Sequence, residues 1–239
     1  MQVFVYLRCE GRGLAPPQSR KPKHNNLKHK ELCLHVSALR GVYSLRSQRN
    51  LPQDFGQIQK IIFQRIFSSG TTKNSMTKAN AATLAAWTPL FSASDGTKAV
   101  ITPYVEAPTA DGGDAITYGG GNDTLGGVTK VIGTNPTNMT FALRQIVQSI
   151  AKALKALMCE LNMGVYFVNG DGQIMGKEVT EGNFGPIPIQ TLFVGDLKLN
   201  GLETPDENAL SFSLPANWSD DVAIITPSDF NPLTDLANA

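Results

Sequence analysis

Two runs of β-forming residues, Val165–Val168 and Gln173–Lys177, are joined by Asn169-Gly170-Asp171-Gly172. A short Asn/Asp-Gly link between such runs is a strong local signal for a β-hairpin, because its glycines supply the positive φ that a tight turn needs. This feature constrains the chain most. It predicts an antiparallel sheet, and the surrounding sequence repeats the theme. Lys98–Glu106 reads as a strand that Pro103 pushes toward an edge or a bulge. Val128–Ile132, Ile187–Val194, Ala209–Leu214 and Val222–Thr226 read as further strands.

One helix stands against these strands. Leu143, Ile146, Val147, Ile150, Leu154, Leu157 and Leu161 recur at helical spacing, with Arg144, Gln145, Gln148, Lys152 and Lys155 opposite. The spacing predicts a helix over 140–161, capped by Asn138 or Thr140 and stopped by Asn162 and Gly164. One apolar stripe is suited to lying on a sheet. The expected fold class is α+β: a mainly antiparallel β sandwich or barrel with one long amphipathic helix packed on it. Thr77–Trp87 reads as a short helix or an arm.

Between the first two strands lies Ala107–Gly127, crowded with Gly and Asp. A connection this long is usually functional or disordered. A short strand at Asp114–Tyr118 would turn it into a long hairpin.

Charge divides the chain. Residues 1–75 hold 13 of the 21 Lys and Arg and only 3 of the 20 acids, which leaves 8 basic and 17 acidic residues in 76–239 and formal charges of +10 and −9. The first part reads as a basic, disordered or non-native extension, and the single β-rich domain as 76–239, with Met76 its natural start. Within the extension only Phe55–Phe67 has helical character, through Ile58, Ile61, Ile62 and Ile66. A basic arm that binds nucleic acid is the alternative use for 1–75.

Chemistry finds few footholds. All three histidines precede Met76, so 76–239 holds no Ser-His-Asp or Cys-His set and no ordinary zinc site. Gly119-Gly120-Gly121 leads into another strand, whereas a phosphate-binding loop opens a helix. Asn169-Gly170-Asp171-Gly172 lacks the distal Glu of a calcium loop. Asp220 and Asp221 read as a solvated turn, and Trp218 beside them as a packing or interface aromatic. No enzyme, catalytic residue, cofactor or metal is expected. No apolar run is long enough for a transmembrane helix, and no membrane partner is expected.

The runs ALKALMCELNMGVYFVNGDGQIMGKE (153–178) and FVGDLKLNGLETPDENALSFSLPANWSDDVAII (193–225) resemble virion structural proteins from tailed phages of Bacteroidetes hosts. In these, a helix leads into a hairpin of this type and an "LSFxLPxxWSD" strand lies near the C-terminus. The resemblance implies a tail-tube-like or related head or tail subunit that forms rings, hexameric in tail tubes, with other copies and neighbouring virion proteins as partners. DNA would be passing cargo, and the locations would be the virion and, during assembly, the host cytoplasm. It makes Ala107–Gly127 the candidate for the long loop of such subunits. The assembly-interface candidates are Asp114, Ile116 and Tyr118 in that loop, with Trp218. An acidic domain would suit a channel that lets DNA slide.

Overall fold

The computed structural model describes residues 55–238. From Phe55 the chain forms β1 (Ile58–Arg65), a ribbon of β2 (Phe67–Ser69) and β3 (Thr72–Lys73), the short β4 (Met76–Thr77), helices α1 (Lys78–Ala81) and α2 (Leu84–Ser92), and β5 (Ala99–Ile101). It continues through β6 (Glu106–Gly112), β7 (Ala115–Tyr118), β8 (Lys130–Thr134) and β9 (Thr137–Arg144) to helix α3 (Gln148–Ala156). The remainder comprises β10 (Met163–Asn169), β11 (Ile174–Thr180), β12 (Asn183–Gly185), β13 (Ile187–Pro188), β14 (Thr191–Lys198), β15 (Glu207–Leu214) and β16 (Val222–Ile225).

The strands build two principal sheets. The larger follows the order β4-β12-β11-β10-β1-β5, with β13 also paired to β10 and β16 to β11; the smaller follows β14-β15-β9-β6. Every pairing in both is antiparallel. The fold is thus α+β with a dominant antiparallel β architecture.

Alternation along the strands explains how the layers stack. Successive side chains point to opposite faces of a sheet. In β1 and β10, Ile61, Phe63, Val165 and Phe167 enter one core, where they meet Met139, Phe141, Leu143, Leu210, Phe212 and Leu214 of the smaller sheet. Phe212 sits at its centre, edge-on to Phe63 at 6.1 Å and stacked on Phe141 at 5.6 Å. Ile62, Tyr166 and Val168 point the other way, into a second core closed by Trp87 and Phe91 of α2 and by Leu236 of the C-terminal segment. All seven residues of β10 are buried because the strand is covered on both faces. Each fully buried large apolar side chain contributes roughly 1.5–3 kcal/mol.

The predicted hairpin forms as expected. Asn169 Oδ1 accepts from the backbone N–H of Asp171 at 3.1 Å and of Gln173 at 2.7 Å, and Gly172 takes φ +76°.

Three expectations are corrected. Within 55–67 the chain forms not a helix but the strand β1, and it enters β2 at Phe67. Ile61, Ile62 and Phe63 are consecutive and all buried, as in a strand covered on both faces; such a run of isoleucines imitates a helical stripe. The described fold therefore begins ahead of Met76, which is itself part of the two-residue strand β4, while β1 lies between β10 and β5. The helix over 140–161 is also not formed as one element. Its first five residues belong to β9, where Met139, Phe141 and Leu143 are buried in alternation and each residue has a partner in β15. Gln145, at φ +51°, ends that strand's extended path. The helix proper is α3, continued by one 3-10 turn at Leu157–Cys159, and Ile146, Ile150, Leu154 and Leu157 pack it onto the sandwich core. Val147 and Leu161, assigned to the same stripe, are exposed.

Candidate assembly surface

The segment expected to be a long loop is a long hairpin arm. At its base β6 pairs with β9, and farther out β7 pairs with β8. The two halves meet at a joint. Gly112 there has φ +102°, and a Cβ on it would lie 2.4 Å from the Pro136 carbonyl oxygen, so glycine is required on both counts. Across the joint the Asn135 N–H donates to the Asp114 carbonyl at 2.9 Å. At the tip, Thr124 holds the glycine-rich turn: its hydroxyl accepts from the Gly120 N–H at 3.1 Å and donates to the Val128 carbonyl at 2.6 Å.

The outer half of the arm carries large apolar side chains that are uncovered. All four residues of β7 are exposed, including Ile116 and Tyr118. Across the ribbon Val131 and Ile132 remain 67% and 66% exposed, and Val128 before them 59%. A two-stranded ribbon is marginal in water by itself, and β-branched residues exposed along it gain from a covering partner.

The base offers a second feature. Strand β6 ends the order of its sheet, and its side chains are exposed except for half-buried Pro108, which lies in the bulge between Glu106 and Thr109. Arg144 fastens this corner, with Nη1 3.0 Å from Glu106 and Nε 3.5 Å from Glu207, the latter an ion pair without a hydrogen bond. The opposite end, β14, is partly covered by α3 and the turn after it: the Val194 N–H points to Met158 Sδ at 3.2 Å, and Lys155 pairs with Asp196.

Of the residues singled out from sequence, Asp114, Ile116 and Tyr118 lie together on the exposed arm. Trp218 does not join them; it is half-buried and packs against the core between the sheets. Sequence reading missed Val131 and Ile132 as exposed residues, because VTKVI carries the composition of an ordinary core strand. It also missed Phe193, Leu197, Leu199 and Leu202, exposed on β14 and the loop beyond.

Asp95, Glu160 and Asp221 are each held in a structural contact. A hollow of about 260 Å³ is bordered by Asp95 and Glu160. Glu160, however, is paired with Arg65, and Asp95 accepts from the hydroxyl and the N–H of Thr97, which hold its carboxyl below the usual range. A carboxyl so shifted is a poor proton donor at neutral pH. Asp221 lies 3.4 Å from Lys177. Among the described residues no group of three or more His, Cys, Asp or Glu is placed to hold a metal ion, and no helix is long and apolar enough to cross a membrane.

No protein-family model matches the chain, and no curated protein or solved structure matches it significantly.

Proposed function

We propose that the chain is a structural subunit of a tailed-phage virion that binds copies of itself and forms a ring or tube in the tail. The observation that carries this reading is the arm: exposed apolar strands continuing from an uncovered edge strand. An open edge is a template for another strand, and strand addition between subunits joins sheets through main-chain hydrogen bonds. An arm that seats on a different patch of the next copy makes a heterologous contact, which closes into a ring where its rotation permits. The resemblance of 153–178 and 193–225 to phage virion proteins points the same way.

The test is direct. Mass spectrometry of purified phage particles is expected to find this chain as a structural component, and negative-stain images of the purified protein are expected to contain rings. Absence from particles, together with a monomer at high concentration, overturns the proposal.

A second reading is favoured by the formal charge of +10 on residues 1–75. It makes the protein a nucleic-acid binder and predicts DNA affinity that falls steeply with salt. Affinity unchanged by salt, or no binding, dismisses it.

A further inference from the structure

Strand β5 ends the order of the larger sheet, yet its edge is not bare. We propose that the C-terminal segment is a removable guard over this edge, which denies it to other strands until it lifts. In the antiparallel register Ile101 faces Ile62, and the neighbouring Thr102 N–H donates to the Ile61 carbonyl at 2.8 Å. Main-chain groups of successive residues point to alternate sides of a strand, so the N–H and carbonyl of Ile101 are turned away from β1. The Asn238 side chain satisfies both: Oδ1 accepts from the N–H at 2.8 Å, and Nδ2 donates to the carbonyl at 2.7 Å. These are the two bonds that a residue of an added antiparallel strand would make. A carboxamide carries the acceptor and the donor side by side, whereas a carboxylate has no donor.

The segment divides into an anchor and a clasp. Ser228 donates to the Ala82 carbonyl from its N–H at 2.9 Å and from its hydroxyl at 3.0 Å. Asp229 Oδ1 accepts from the Leu84 N–H at 3.0 Å, and the Leu233 carbonyl accepts from Lys60 Nζ at 2.7 Å. Leu236 is buried in the second core. Those contacts hold 228–236. Ala237 and Asn238 beyond them are exposed, and the clasp reaches the sheet through the Asn238 side chain. It can therefore swing away while Leu236 stays in place. Its departure bares the Ile101 edge and the rim of a hollow of about 240 Å³, which Asn238 shares with Phe91, Ile150 and Leu154. An open edge is a template for any extended backbone, and proteins keep such edges covered. The device is independent of the arm, because it governs a different edge.

Asn238→Ala and Asn238→Asp in the full chain test this beside the unsubstituted chain. The first removes both bonds; the second keeps the size of the side chain and loses the donor. Amide hydrogen exchange is followed by NMR at low protein concentration. Exchange at Ile101 is expected to be about tenfold faster or more in both variants, and unchanged at Phe167 in β10. At raised concentration both variants are expected to associate more than the unsubstituted chain in sedimentation, and protection of Ile101 is expected to return. Unchanged exchange at Ile101 overturns the cap. Faster exchange at Ile101 without added association overturns the guard. Faster exchange at Phe167 as well overturns the separation of clasp from anchor. Association of the unsubstituted chain bears on the arm and not on the guard, so the two readings fail separately.

Discussion

The Tyr166 hydroxyl donates to Gln64 Oε1 at 2.9 Å between two side chains that are almost wholly buried, and Gln64 Nε2 passes the contact on to the Thr97 carbonyl at 2.7 Å. The chain of bonds links β10, β1 and the approach to β5. It also fixes which face of β1 is which. A slip of one residue would turn Gln64 into the apolar core between the sheets and leave Tyr166 without its acceptor.

Tyr166→Phe removes the donor and leaves a buried amide oxygen unpaired. The expected loss at neutral pH is about 1–3 kcal/mol, measured by urea unfolding. A loss near zero would mean that water or another group satisfies Gln64.

Burial pushes the Tyr166 phenol well above its ordinary value of 10.0. A group whose folded pKa is raised supports the fold below its unfolded pKa, and that support is lost as pH rises beyond it. Stability is therefore expected to fall as pH climbs past about 10. Tyr166→Phe is expected to flatten this fall, read from melting temperature against pH.

A chain beginning at Met76 lacks β1, which supplies Ile61, Ile62 and Phe63 to both cores and pairs with β10 and β5. Such a chain is expected to be insoluble or unfolded by circular dichroism. In the full chain Phe63→Ala is expected to cost about 3–5 kcal/mol. A cooperative melt from the Met76 chain would contradict the placement of β1.

Gly112→Ala puts a Cβ against the Pro136 carbonyl at a positive φ. The strain falls at the joint of the arm and not in either core. Association is expected to weaken strongly in sedimentation, while the melting temperature moves by a few degrees at most, about what 1 kcal/mol produces in a domain of this size. Unchanged association would separate the joint from assembly.

How much was legible beforehand depended on where burial is one-sided. The Asn169–Gly172 turn was read correctly because its residues carry the conformation themselves. The β-rich fold class followed from the many short strands. Residues 55–67 were misread because a strand buried on both faces has no alternation to reveal it. The long helix was misread because Leu143 satisfies both periods: it ends the alternation Met139, Phe141, Leu143 and opens the stripe that continues at Ile146 and Ile150. At the candidate surface, a short strand at Asp114–Tyr118 is the reading that makes a long hairpin of the Gly- and Asp-rich stretch, and β7 forms there at Ala115–Tyr118. Trp218 was half-legible: either packing or contact suited an aromatic beside two acids, and it packs against the core. Nothing in the composition of Val131 and Ile132 distinguishes an exposed arm from a core strand; that difference is tertiary.

Sedimentation velocity on the full chain, beside a version in which 114–135 is replaced by a two-residue turn, tests self-assembly through the arm most directly. The account predicts concentration-dependent oligomers that close into rings for the full chain and a folded monomer for the shortened one. A full chain that stays monomeric at high concentration, or a shortened chain that assembles equally well, would contradict it.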